Sequence, residues 1–265
     1  MVDDEVLSRA LGVAMDAARN AGDVLARIIG QSRTVLFKGE RDLVTDADRA
    51  SEQIILSALR AEFPNHAIHA EEHGRIEGRG PGNACEWFVD PLDGTTNYAH
   101  GLPFFSVSIG LCVDGMPAVG VVYSPLIGEL FSGQLGRGAF LNGTRVSVSR
   151  TSSILHALVA TGFPYDLADS RSNNLDVFAR VIPRVQEIRR FGVASLDLAY
   201  VACGKFDAYW EPGLAPWDMA AGAAIVREAG GIVTDLAGGP FTPVGKQVLA
   251  TNGVLHPSMV DLVSN

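Results

Sequence analysis

WFVDPLDGTTNYAHG, residues Trp87–Gly101, carries an apolar, aromatic-rich run straight into Asp90, sets Pro91 behind it, and places a second acid, Asp93, ahead of Gly94 and two threonines. Pro91 is expected to stop the strand, because proline has no amide hydrogen for a ladder. Two acids then sit on a glycine turn. A calcium-loop reading fails: such loops alternate ligands at positions one, three and five, and here proline occupies position two with no glutamate at the required distance. An ordinary Asp-rich turn would account for the pair taken alone.

Other acidic turns change that balance. AEEHG supplies Glu71 and Glu72 after a short β-like HAIHA, and APWDMAAG supplies Asp218 at a helix start behind a proline and a tryptophan. Two carboxylates ~4 Å apart repel by roughly 4 kcal/mol at an effective dielectric near 20, so four of them can converge only around cations. Hard oxygen donors without a histidine or cysteine cluster favour Mg2+ over Zn2+, with Mn2+ as the alternative. Gly94 lets the backbone approach a ligand, and the Gly94, Thr95 and Thr96 amides at the start of a helical turn suit a phosphate. Two metals could clamp the attacking and leaving oxygens of an in-line phosphoryl transfer. The chain has no Walker lysine loop and no Gly-x-Ser-x-Gly elbow, which disfavours an NTPase or a serine hydrolase.

The rest of the chain is compatible with such an enzyme. Its 265 residues, 47% hydrophobic and 19% charged, suit one large or two moderate domains, and no apolar run approaches the ~18–20 residues of a membrane span. An acidic start, MVDDEVLSR, lacks the basic and apolar segments of a secretory signal, so a cytoplasmic protein is expected. Cys85, Cys112 and Cys203 are odd in number and lie in apolar segments, which reads as reduced core residues. A net charge of −9 disfavours nucleic acid and anionic membranes as partners.

Spacing predicts an amphipathic helix over residues 6–29 ended by Gly30, and a second helix capped near Thr45 or Asp46, with Asp48 in its first turn, broken at Pro64. From Glu86 the texture is that of strands separated by DG, SP, GRG and NG turns, a largely antiparallel meander. After residue 150 it alternates: a strand at LHALVATG, a helix from Val177 to Ile188, a helix from Ala194 to Cys203, the strand FDAYW, a helix after Pro216, and strands GIVTDL and QVLATN. The expected organisation is an α/β (α+β) protein with an N-terminal half, residues 1–150, carrying most metal ligands, and a C-terminal half, residues 151–265, completing the site.

These motifs together resemble the inositol monophosphatase family of Mg2+-dependent, lithium-sensitive phosphatases. WFVDPLDGTTNYAHGLPFFSVSIGL and PWDMAAGAAIVREAGG are similar to the family's two signature motifs, and LVTDAD and AEEHG fall in order before them. The resemblance spans nearly the whole chain. It implies a layered α/β/α/β/α sandwich, usually homodimeric, and two Mg2+ ions with a third, weaker one at Glu71. Glu71, Asp90 and the Leu92 carbonyl would hold the first ion, and Asp90, Asp93 and Asp218 the second. Glu71 and Thr95 would activate water, with Asp48 accepting from the Thr95 hydroxyl. Asp93, Asp218 and the Gly94, Thr95 and Ala194 amides would face the substrate, Glu211 would accept from ring hydroxyls, and Lys38 is a further contact. The implied substrate is myo-inositol monophosphate.

The alternatives are a broader sugar phosphatase that accepts fructose 1,6-bisphosphate, a histidinol-phosphate or nucleotide 3′-phosphate phosphatase, and a non-catalytic metal-dependent binding dimer. His73 is read as an exposed loop histidine, Asp46 as a cap, Arg189 and Arg190 as interface ion-pairing residues, and Trp217 as a buried helix-start anchor.

Overall fold

The computed structural model describes residues 3–29, 35–37, 43–79, 84–164 and 173–264, with backbone alone at 35–37 and 43–45. Helix α1 (Asp4–Ile28) opens with Asp3 Oδ1 accepting the Glu5 N–H at 3.2 Å and buries Leu7, Ala10, Ala14, Ala17, Ala18, Ala21 and Leu25. A small antiparallel hairpin, β1 (Val35–Phe37) with β2 (Leu43–Thr45), runs directly into α2 (Asp46–Glu62). Lys38 lies outside the described residues.

The meander forms an eight-stranded sheet from β3 (Ala67–Ala70), β4 (Gly74–Ile76), β5 (Cys85–Asp93), then after a short helix α3 (Thr95–Ala99), β6 (Ser106–Val113), β7 (Met116–Ser124), β8 (Glu129–Gln134), β9 (Gly138–Leu141) and β10 (Thr144–Val146). Its order is β10-β9-β8-β7-β6-β5-β3-β4, antiparallel except where β3 runs parallel to β5. Helices α1 and α2 cover one face, sharing a core with Trp87, Val89, Val107, Ile109 and Val121.

The second sheet is five-stranded and mixed. It uses β11 (Leu158–Thr161), then past α4 (Leu175–Val181), β12 (Glu187–Arg189), past α5 (Ala194–Ala202), β13 (Ala208–Pro212), and past α6 (Pro216–Glu228), β14 (Ile232–Thr234) and β15 (Gln247–Thr251). The order is β12-β11-β13-β15-β14, parallel at β12-β11-β13 and antiparallel beyond. α5 and α6 lie between the two sheets, and α4 with α7 (His256–Val263) covers the outer face, where Met259 of α7 shares a core with Trp210 and Leu249, completing five α/β/α/β/α layers. The half-boundary expected near residue 150 falls in the connection between β10 and β11, while the middle helices pack on both sheets.

What sets the middle layer is a track of glycines. Gly110, Gly120 and Gly133 are register partners across β6, β7 and β8. A Cβ at Gly120 would stand 2.2 Å from the Ala221 carbonyl oxygen, one at Gly110 2.7 Å from the Ala221 nitrogen, and one at Gly133 3.0 Å from the Ile225 Cα. The α6 backbone therefore rests on the sheet itself, and the small residues of AAGAA on the helix make the approach mutual. The Ser108 hydroxyl fixes the helix start by donating to the Trp217 carbonyl at 3.0 Å.

Three sequence expectations change. β5 does not stop at Pro91. Register partners Asp90↔Ser108 and Asp93↔Ser106 leave one extra residue on β5, a bulge in which the missing proline N–H costs no ladder bond. The helix predicted over 177–188 is α4, followed by a 3-10 turn at Ile182–Arg184 and then by β12; Pro183 ends the helix and Ile188 pairs with Val159. The C-terminal helix α7, with Pro257 in its first turn, went unread in the sequence. The cysteines are free thiols, as expected.

Gly120→Ala is expected to cost about 3 kcal/mol or more, because the added methyl meets backbone rather than a movable side chain. Gly12→Ala, in the exposed face of α1 with open space around it, should instead stabilise by roughly 0.5–1 kcal/mol. Denaturant unfolding of the two variants checks the contrast.

Candidate active site

A cavity of about 230 Å³ opens where the β5 bulge, the starts of α3, α5 and α6, and the end of β13 meet. Glu71, Asp90, Leu92, Asp93, Gly94, Thr95, Ala194, Glu211 and Asp218 all line it. Every described site residue expected from the sequence, except Asp48, therefore has a place on its wall. Asp48 stands just behind, fully buried in the first turn of α2.

The bulge explains how one strand end can present two acids three residues apart. In a regular strand residues i and i+3 point to opposite faces; one extra residue resets that alternation, so Asp90 and Asp93 share the cavity side. Asp90 Oδ1 accepts the Leu92 N–H at 2.9 Å, and the buried Ser51 hydroxyl donates to the Pro91 carbonyl at 2.6 Å, tying the bulge to α2. Gly94 adopts φ +90°, and a Cβ there would lie 2.8 Å from Val193 Cγ2, so the turn requires glycine.

The buried Thr95 hydroxyl has one proton and two acceptors in reach: the Leu92 carbonyl at 3.0 Å and Asp48 Oδ1 at 3.3 Å. Asp218 sits in the first turn of α6 and takes the Ala215 N–H at 2.7 Å. On the opposite wall, Tyr209 donates its hydroxyl to Glu211 Oε2 at 2.5 Å, and the Glu211 carboxylate lies against Gly162, where a Cβ would fall within 2.0 Å of it.

Several contributors escaped the sequence reading. Glu52, fully buried one helical turn after Asp48, accepts the Glu72 N–H at 2.9 Å and so holds the turn that carries Glu71. His73 is exposed in that turn, as read from the sequence, and its Nδ1 also pairs with Glu52 Oε2. The i, i+4 spacing of Asp48 and Glu52 was the available signal. Ser195 and Asp197, in the first turn of α5, are buried beside the site. Arg190, read as an interface residue, lines the cavity mouth next to Glu211. Trp217, read as buried, is half-buried; it packs on Phe88 and Ala220 and also lines the cavity.

Burial and mutual repulsion dominate the electrostatics. Asp90 is held well above the usual carboxylate range by burial and then by Glu71, Asp93 and Asp218, against the Leu92 N–H. Asp218 is raised by burial and by Asp93. Asp93 is pushed up to about 6 by burial, although hydrogen bonds from Ser195 and backbone N–H groups of Ala194 and Gly94 oppose the shift. Glu211 is pushed up to about 7 by burial, with the Tyr209 hydroxyl and Arg190 opposing. Asp197 is raised by burial and by Glu211.

A group of acids that resist charging together, with a backbone carbonyl among them, is a hard-oxygen donor set that fits Mg2+. Among the described residues no three His, Cys, Asp or Glu side chains meet at a single point as ligands do, so what the structure defines is the donor set.

Residues 6–265 match the sequence profile of the Inositol monophosphatase family. The chain belongs to the inositol monophosphatase family. An inositol-1-monophosphatase of Synechocystis is 45% identical over 250 residues, covering 94% of this chain and 86% of its own. A Nus factor SuhB of Pseudomonas aeruginosa is 48% identical over 232 residues, covering 86% of each chain. The solved inositol monophosphatase of Anabaena superposes with a TM-score of 0.88 at 43% identity, covering 97% of this chain and 95% of that one. This inositol monophosphatase family member is thus a phosphatase, a hydrolase in a metal-dependent family for which Mg2+ is typical. Among the described residues no helix is long and apolar enough to cross a membrane.

The raised carboxyls fix the sign of a pH effect. Asp93 and Glu211 bind protons more tightly in the folded than in the unfolded chain, so without divalent cations stability falls as pH rises from about 4 to about 7. In EDTA the melting temperature should be lower at pH 8 than at pH 5, and the D93N/E211Q variant should flatten the difference. Differential scanning calorimetry at the two pH values checks this.

Proposed function

We propose that this chain hydrolyses a myo-inositol monophosphate, or a close polyol monophosphate, to the alcohol and phosphate with Mg2+. The observation that supports the reading most is the two-walled cavity: carboxylates of Glu71, Asp90, Asp93 and Asp218 on one side and the Tyr209-anchored Glu211 on the other. Glu71, Asp90 and the Leu92 carbonyl would hold one cation, Asp90, Asp93 and Asp218 a second, and Glu71 a weaker third. When bound, such cations lower the pKa of water and offset the charge that gathers on the phosphoryl oxygens.

The remaining work falls to the protein's own groups. If Thr95 gives its proton to Asp48, its oxygen lone pairs are left to accept from the attacking water, and the Leu92 carbonyl is freed for a cation. Glu71, on the same wall, is the group to take the proton that this water loses. Gly94 and Thr95 amides at the start of α3 suit the phosphate. Glu211 Oε1, with Oε2 held by Tyr209, suits a ring hydroxyl, and Ala194 lines the same subsite. A cytoplasmic homodimer belongs to the same reading. A net charge of −9 disfavours direct contact with nucleic acid.

Arg190 favours a second reading, a broader sugar phosphatase, because a guanidinium at the mouth could take a second phosphate. Initial rates of phosphate release from inositol 1-phosphate, fructose 1,6-bisphosphate, histidinol phosphate and a nucleotide 3′-phosphate, with and without Mg2+, separate the readings. The expected result is Mg2+-dependent preference for inositol 1-phosphate. Preference for the bisphosphate, weakened in Arg190→Ala, would transfer the assignment, and silence across the panel would leave a binding role. Asp93→Asn should lose at least about 100-fold in turnover while keeping its circular dichroism spectrum.

A further inference from the structure

One buried hydrogen-bond chain next to the cavity has no part in the chemistry above. Ser195, fully buried in the first turn of α5, donates to Asp93 Oδ2 twice, from its N–H at 2.8 Å and from its hydroxyl at 2.6 Å. Its hydroxyl oxygen is also 2.9 Å from that of Ser106, itself fully buried. Ser106 is the β6 register partner of Asp93, so the same bulge that turns Asp93 toward the cavity brings this serine beneath it.

The proton directions follow from donor capacity. An ionised carboxylate only accepts, so the Ser195 hydroxyl proton points to Asp93. That proton is then committed, and the contact between the serines requires Ser106 to donate to Ser195. The chain runs one way, from Ser106 through Ser195 to Asp93, and ends on Oδ2 alone. A short hydroxyl-to-carboxylate bond in a buried setting fixes orientation strongly.

We propose that Ser195, with its proton direction set by Ser106, is a positioning residue for Asp93: the pair holds Oδ2 and, with the Ala194 and Gly94 N–H groups on the same carboxylate, sets the rotation in which Asp93 faces the cavity. This rests on Asp93 being a metal ligand. The same arrangement holds the start of α5, and with it Ala194, in register with the carboxylate wall.

The test is Mg2+ binding by isothermal titration calorimetry on the full chain, together with the Mg2+ dependence of phosphate release, for Ser195→Ala, Ser106→Ala and Asp93→Asn. Ser195→Ala keeps the backbone N–H bond and loses the hydroxyl, so its Mg2+ dissociation constant should rise about 10-fold. Turnover should recover at high Mg2+. Ser106→Ala should shift in the same direction by less. Circular dichroism and melting temperature establish that each variant folds, and the smaller Ser106 change keeps the test open if Ser195→Ala does not. Unchanged Mg2+ affinity in both serine variants, with affinity lost in Asp93→Asn, overturns the positioning role and leaves the metal reading standing. Unchanged affinity in Asp93→Asn overturns both.

Discussion

The close approach of α6 to the large sheet is the contact on which the site depends. Helix and sheet ordinarily stand ~10 Å apart, spaced by side chains. Here Gly110, Gly120 and Gly133 remove those side chains along one line across three strands, and the backbone of Ala221 and Ile225 occupies the space. The result is local and directional. Asp218, in the first turn of that helix, reaches the level of the β5 bulge, and Ser108 holds the helix start at that height. Any residue larger than glycine on the track would lift one wall of the cavity away from the other.

The second constraint is electrostatic and opposes the first. Packing gathers Asp90, Asp93 and Asp218 beside Glu71, where burial raises the proton affinity of all three aspartates and neighbouring carboxylates raise that of Asp90 and Asp218 further. A fold seldom accepts such a group without compensation. Part of it is visible in the donors aimed at individual oxygens: Leu92 N–H on Asp90, Ala215 N–H on Asp218, and Ser195 on Asp93. These bonds fix orientation without removing the net charge. A cation-binding role is the economical account of why so much negative charge is kept in one place.

The two walls come from different sheets, and on the proposed function this division would separate chemistry from recognition. β5 and its bulge belong to the large sheet and carry Asp90 and Asp93. β13 belongs to the small sheet and carries Tyr209 and Glu211. α5, packed between them, touches both: its first turn holds Asp93 through Ser195 and places Asp197 near Glu211 and Arg190. On the proposed function, change on the β13 side would alter which alcohol is accepted while the carboxylate wall stays as it is.

The sequence alone determined much of this, for reasons of locality. Short-range patterns located α1, α2, α5, α6 and the meander, since helix periodicity, strand alternation and glycine or proline stops act within a few residues. Acid-bearing turns at element ends, with Gly94 and Thr95 beside them, marked the residues of the carboxylate wall. Tertiary structure decided the rest. That β5 runs through Pro91 as a bulge depends on its register with β6, which no local pattern contains. Residues 187–189 form a strand because β11 lies alongside them, not because of their own preference. Glu52, Ser106, Ser195 and Asp197 looked like ordinary polar positions until folding buried them against residues up to about a hundred places away, as Ser195 is from Asp93. Hydrogen bonds and charges act through space, and only the packed chain sets those distances.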